Sequence, residues 1–115
     1  MERDADRVLQ LFITAVDAAG GLGSMVAERR LTWLPMLMES ACTLVMQEEE
    51  HRDPGEIADL LGTTRDAVEN MLAGPADTAP QQVRDLPPGE LVAREYIAGG
   101  VVRHAYQSRG AAPTA

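Results

Sequence analysis

The sequence predicts an all-α fold, namely a small helical domain of about five helices with a helix-turn-helix corner. Of its 115 residues, 45% are hydrophobic but only 3% are aromatic. Aliphatic side chains must therefore fill the core, which favours packed helices over a sheet, and no long β-branched run occurs. We divide the chain into an N-terminal helix (residues 1–21), a helix-turn-helix core (22–75) and a linker with a C-terminal helix and a disordered tail (76–115). Together these parts make one compact domain.

The first helix is predicted over residues 4–18, where apolar residues repeat at helical spacing. Its wide apolar stripe consists of Val8, Leu9, Phe12, Ile13 and Val16. The glycine-rich run at residues 20–23 ends this helix. Because the run follows a helix rather than a strand, and no Lys-Ser/Thr pair comes after it, it indicates a helix stop and not a phosphate-binding loop.

The second helix is predicted to be the longest and most apolar, with Thr32 as its cap and Pro35 in its first turn. Trp33 is a large anchor near its start, and its core surface consists of Leu34, Leu37, Met38, Ala41, Leu44 and Val45. Cys42 lies on the same stripe and is interpreted as a small buried hydrophobe. As the only cysteine, it excludes an intrachain disulfide and suits a reducing cytoplasm.

The second helix runs out in consecutive glutamates, where Glu48 and His51 have the Glu-x-x-His spacing of di-iron helices. Such a site needs a second Glu-x-x-His pair, which only a symmetric dimer could supply. We therefore favour a solvated acidic helix end, keep Glu48 and His51 as the weaker metal alternative, and predict no cofactor. No other residues resemble a catalytic set, so we predict that the protein is not an enzyme.

Residues 54–72 predict the helix-turn-helix. Ile57, Leu60 and Leu61 repeat at helical spacing in its first helix, and Gly62 supplies the positive-φ turn. Thr63 or Thr64 caps the second helix, whose predicted buried side consists of Ala67, Val68, Met71 and Leu72. Ala58 is small where the two helices cross, and the compact Val68 packs back onto it.

If the second helix of this motif enters a major groove, the candidate DNA-binding residues are Thr63, Thr64 and Arg65 at its leading end and Glu69 and Asn70 further along. Charge opposes this interpretation, because the chain carries −8 and residues 54–73 contain four acids against Arg65 alone. Arginines elsewhere could compensate if they converge on one face: Arg29, Arg30, Arg84, Arg94, Arg103 and Arg109.

After the motif, prolines and glycines at residues 74–80 and 86–89 predict a linker. A last helix is predicted over residues 90–107, with one face made by Leu91, Val92, Tyr96, Val102 and Tyr106. The glycine pair Gly99-Gly100 weakens or kinks this helix, and serves as a hinge, a close helix crossing or neither. Residues 108–115 are predicted to be a disordered tail.

Residues 31–72 also resemble a known family. The run from Thr32 to Glu39, a long helix, and the run from Glu56 to Val68 look like a family of small prokaryotic regulatory domains that tend to be encoded beside KaiC-like ATPases. The resemblance implies a role in sensing or regulation with a RecA-like ATPase as partner. The acidic second motif helix departs from helix-turn-helix domains that bind DNA alone.

Two function classes follow from these observations. In the first, the protein is a transcriptional regulator or DNA-linked signalling component that reads DNA through the motif. In the second, it is an acidic protein–protein adaptor of a KaiC-like ATPase signalling system without direct DNA binding. In both, we expect a homodimer that uses its first or last helix. We also expect a cytoplasmic location without a membrane partner, since the longest apolar stretch is too short to span a bilayer and the N-terminus alternates charges.

Overall fold

Seven α-helices and a closing π-helical turn make up the part of the chain that the computed structural model describes, residues 2–29, 31–85 and 94–110. No strand occurs in these ranges, so the predicted all-α class is confirmed. The helices are α1 (Glu2–Ala18), α2 (Leu22–Ala27), α3 (Trp33–Glu48), α4 (Pro54–Leu61), α5 (Arg65–Leu72), α6 (Ala79–Asp85) and α7 (Arg94–Ala105), followed by the turn Tyr106–Gly110. The short helices α2 and α6 are additional to the five helices that the sequence predicts.

The core-facing side of the first helix includes the predicted Val8, Phe12 and Val16 but is shifted away from Leu9 and Ile13. Leu11 and Ala15 are fully buried beside Val8 and Val16, whereas Leu9 and Ile13 are about half exposed. Apolar residues cover more than one side of α1, so helical periodicity alone cannot decide which side is buried. The packing of α1 against α3 and α7 makes that choice.

The start of α3 also differs in detail from the prediction. Thr32 has helical backbone angles (φ −66°, ψ −13°), and its side chain makes no capping hydrogen bond, so the predicted cap is wrong. The chain is already turning at this point, because the amide of Leu34 donates to the carbonyl of Leu31 at 3.1 Å. The predicted anchor, Trp33, is completely buried.

The acidic end of α3 is only partly solvated. Arg7 on α1 holds Glu49 through two hydrogen bonds, Nε to Oε1 at 3.2 Å and Nη2 to Oε2 at 2.8 Å. Glu50 pairs with Arg52 at 2.8 Å, while Glu48 is exposed. The bidentate geometry of the first pair ties the end of α3 to α1.

The main core joins the two ends of the chain. Its buried side chains come from α1, α3, α6 and α7, with Met25 of α2. A smaller cluster beneath the helix-turn-helix consists of Met46, Ile57, Ala58 and Val68. The radius of gyration is 13.1 Å, a value typical of one folded domain of about 100 residues. The described parts of segments 1–21 and 76–115 therefore build the core together with α3.

Part of the predicted linker is a helix. α6 begins at Ala79, and Pro80 occupies its first turn, where a missing amide costs nothing. Ala79, Pro80 and Val83 are buried in the core. Residues 86–93, which include the second part of the predicted linker as well as Leu91 and Val92, lie outside the described residues.

The glycine pair lies inside one continuous helix, α7, at a close helix crossing. A Cβ added at Gly99 would overlap the carbonyl oxygen of Met71 on α5, and one added at Gly74 would overlap the backbone of Gly100. Of the predicted face, Val102 is buried and Tyr106 half-buried, but Tyr96 is exposed. Of the three roles left open for the pair, the structure selects the close crossing.

The C-terminal end continues the helical path beyond α7. Ser108 lies in the π-helical turn, where its hydroxyl donates to the carbonyls of His104 and Ala105 at 3.0 and 3.3 Å. The disorder predicted from residue 108 is therefore wrong for residues 108–110. Residues 111–115 lie outside the described part. Within the described part, every helix is too short or too polar to cross a membrane.

Candidate recognition surface of the helix-turn-helix

The first helix of the motif begins with a reciprocal cap. The Asp53 carboxylate accepts a hydrogen bond from the Glu56 amide at 2.9 Å, and the Glu56 carboxylate accepts one from the Asp53 amide at 3.3 Å. Pro54 follows at the first helical position. The hydrogen bond from the Glu56 amide lowers the pKa of Asp53, because it stabilises the ionised carboxylate. This capping box fixes where α4 starts.

The turn between the motif helices depends on Gly62, which takes left-handed backbone angles of φ 70° and ψ 33°. The amide of Thr63 donates to the Ala58 carbonyl at 3.0 Å and closes the corner. Ala58 and Val68 are both buried there, as predicted, and share one cluster with Ile57. Leu60 does not follow the predicted pattern, because 57% of it is exposed.

Thr64 caps α5, which resolves the choice between the two threonines. Its hydroxyl accepts a hydrogen bond from the Ala67 amide at 3.1 Å. The predicted buried side holds for Ala67, Val68 and Met71, while Leu72 is half-buried. The sulfur of Met71 also accepts a hydrogen bond from the buried Thr43 hydroxyl on α3 at 3.6 Å. These contacts fix the rotation of α5 about its axis.

The candidate recognition residues share the opposite side of α5. Thr64, Arg65, Glu69 and Asn70 are all exposed, and Thr63 before them is half-buried. We call these five residues the outer face of α5. Because the buried side packs on α3, α4 and α7, the outer face points away from the core and is open to a macromolecular partner.

Exposed acids around the outer face make this side of the motif acidic. Arg65 forms an exposed ion pair with Glu69, with 3.6 Å between Nε and Oε2. The neighbouring acids Glu56, Asp59 and Asp66 are exposed as well. Binding to a phosphate backbone requires cations, but the acids on this side of the motif outnumber them, and Arg65 already has an acidic neighbour.

The other arginines with described partners are used within the fold. Arg7 binds Glu49, and Arg52 contacts Glu50 and lies 3.8 Å from Glu56. Arg84 donates to the carbonyl of Ala18 at 3.0 Å, and Arg103 donates to that of Gly74. The side chains of Arg30, Arg94 and Arg109 lie outside the described residues, and Arg29 is exposed beyond α2. Arg84 and Arg103, two of the arginines that could have compensated for the acids, thus contact backbone carbonyls within the fold.

Glu48 and His51 do not lie on one helix, as the metal alternative requires. α3 ends at Glu48, and His51 lies beyond the helix with φ 57°. The i, i+3 geometry of a di-iron helix is therefore not present at these two exposed residues. No group of three or more His, Cys, Asp or Glu residues with metal-binding geometry occurs among the residues described.

Sequence reasoning also missed a polar pocket of about 200 Å³ between the C-terminal ends of α3 and α7. It is lined by Leu44, Glu48, Arg103, Tyr106 and Gln107. Burial, followed by the nearby Glu49, raises the pKa of Tyr106, so its phenol stays protonated at neutral pH. No local motif signals this pocket, because its walls come from distant parts of the chain.

Comparisons with known proteins give no indication of the function. No protein-family model, curated protein or solved structure matches this chain.

Proposed function

We propose that this protein is a cytoplasmic regulatory adaptor whose helix-turn-helix binds a basic surface on a protein partner through the outer face of α5 and the exposed acids around it. The observation that carries this proposal is the charge of an otherwise well-formed motif. The corner is capped, buried on one side and open on the other, but the open side combines Arg65 with Glu69 and further acids. Complementary charge steers partners together, and this surface repels phosphates.

The resemblance to small regulatory domains encoded beside KaiC-like ATPases supports the same class. It makes a RecA-like ATPase the first partner to test. An acidic surface is a suitable ligand for a basic patch, because exposed carboxylates on α4 and α5 can pair with arginines, whose guanidinium groups are weakly hydrated.

The second candidate is a DNA-linked regulator. It is favoured by the exposure of Thr64, Arg65 and Asn70 together on one side of the motif's second helix, where base-contacting residues lie in DNA-binding members of this architecture. In that case Glu69 would restrain Arg65 in the free protein and release it on binding.

The experiment tests a protein partner and DNA in parallel as ligands of the same chain. The wild-type chain is used for affinity capture from its native cell extract and, in parallel, for selection of genomic DNA fragments at low salt. The test variant is Asp59→Asn combined with Asp66→Asn, and the matched control is Asp85→Asn, an exposed aspartate at the end of α6. We expect one stoichiometric protein partner, lost with the double variant, retained with the control, and weakened by raising salt.

If the protein is instead a DNA-linked regulator, variants of Glu69 and Arg65 should change its binding to DNA. Glu69→Gln should strengthen DNA binding by freeing Arg65, and Arg65→Ala should abolish it. Enrichment of a short palindrome with this pattern would replace the adaptor by the DNA-linked regulator. Capture of a partner that binds equally well without the Asp59 and Asp66 carboxylates would contradict the role of the acids around the outer face.

A further inference from the structure

Exposed apolar side chains are concentrated at the N-terminal end of the chain. Seven large hydrophobic residues are exposed in the described part, and five of them lie in α1, α2 and the turn before α3. They are Leu9, Ile13, Leu22, Val26 and Leu31. Single exposed leucines are normal on a monomer, but a concentration of this kind marks an interaction surface.

Two apolar grooves accompany these side chains on the outer side of α1. One has a volume of about 280 Å³ and is lined by Ala5, Val8, Leu9, Met38 and Cys42. The other has a volume of about 320 Å³ and is lined by Phe12, Ile13, Val16, Asp17, Leu22 and Leu34. Both lie between α1 and residues of α3, and Asp17 is the only charged residue among those that line them.

We propose that these grooves and their rims, the α1–α3 surface, form the interface with a second copy of this chain. Leu9 and Ile13 each line one groove and are 50% and 53% exposed, so one turn of α1 supplies both a ridge and the walls of a groove. A two-fold axis across α1 would seat the ridge of each copy against the grooves of the other. This self-complementarity is what an isologous dimer requires.

The chemistry and the area of the surface favour a second copy over a charged ligand. Leu9, Ile13 and Leu22 line the grooves, and at about 30 Å² for each exposed methyl or methylene group these three side chains offer roughly 180 Å² of apolar area. That is over a third of the apolar area that one side of a standard interface of about 800 Å² contributes. The half-buried Phe12, Leu34 and Met38 supply more. Asp17 is the only charged residue that lines the grooves, so two copies of a chain with net charge −8 meet there with less repulsion than at its acidic surfaces.

The test is the mass of the full chain by light scattering at about 100 µM, at low salt and again in 1 M NaCl. We expect twice the 12.4 kDa of one chain under both conditions, since apolar burial is not screened by salt. The double variant Leu9→Glu, Ile13→Glu should weaken the dimer by at least about 100-fold while circular dichroism shows the helices retained. The control is Leu60→Glu, because Leu60 is 57% exposed on the helix-turn-helix and should leave the dimer intact.

Cys42 provides a second measurement that needs no variant. It lines one of the two grooves, so a dimer covers it. Its rate of modification by N-ethylmaleimide should fall as the wild-type protein is raised from about 1 to 100 µM. A mass of 12.4 kDa at the high concentration, or a dimer broken by Leu60→Glu and not by the α1 variant, would overturn the proposal. A monomer at the high concentration would not bear on the outer face of α5 or the acids around it, so that result separates the two proposals.

Discussion

Gly62 and Gly99 are required for different reasons, although both lie beside α5. Gly62 has φ 70°, which side chains disfavour, yet a Cβ there would meet no atom within 4 Å. Gly99 lies within the regular helix α7, yet a Cβ there would overlap the backbone of Met71. One glycine is needed for its backbone conformation and the other for the space it leaves.

The difference shows how the candidate surface is held. The turn at Gly62 sets the angle between α4 and α5, whereas the crossing at Gly99 sets how deeply α5 sits on α7. The outer face of α5 therefore depends on a contact with the C-terminal helix as much as on the motif itself.

The largest effect is expected for Gly99→Ala. A single methyl group at this position must push α5 and α7 apart, which should cost about 3 kcal/mol or more of unfolding free energy. Urea denaturation followed by circular dichroism measures it. The control is Gly23→Ala on α2, where a Cβ would meet nothing within 4 Å, so the same change should be neutral or slightly stabilising. Equal stability of the two variants would exclude a tight crossing.

A smaller effect is expected for Ala58→Leu, which tests space within the motif. Ala58 is buried in one cluster with Val68, so extra methyl groups should overpack the corner and cost roughly 1–3 kcal/mol. The same denaturation experiment applies. A parent-like midpoint for Ala58→Leu would mean that the two motif helices are not in close contact.

The backbone requirement at Gly62 is expected to cost less again. Gly62→Val forces a β-branched residue to φ 70° and should cost at least about 1 kcal/mol, although the side chain itself has room. Gly62→Asn should cost less, because Asn tolerates the left-handed region better. If Val and Asn are equivalent, the cause lies in something other than backbone conformation.

The smallest effect concerns the start of α4. Since the folded state lowers the pKa of Asp53, its contribution to stability is present above the ordinary value of 3.8 and is lost as the pH falls through the folded value. The wild-type protein should therefore lose more stability between pH 6 and pH 3 than Asp53→Asn, which keeps a capping oxygen that does not titrate. Identical pH dependence would show that this cap contributes no linkage.

Much of the candidate site was readable from the sequence, because its determinants are local. The glycine turn, the small residue at the corner and the buried side of α5 follow from spacing and backbone chemistry within residues 54–72. The exposure of Leu60 was not readable in this way. An apolar residue at helical spacing is buried only if another element covers it.

Sequence alone determined the helical class, the helix-turn-helix and the outward direction of Arg65 and Asn70. These features rest on hydrogen bonds and steric limits between residues a few positions apart. Packing between distant helices, by contrast, turns Leu9 and Ile13 outward. It also pairs Arg7 with Glu49 and places Gly99 where two helices cross. Each of these depends on which distant helix packs against the residue. A repeat along one helix defines its possible faces, but the choice among them belongs to the neighbours that cover it.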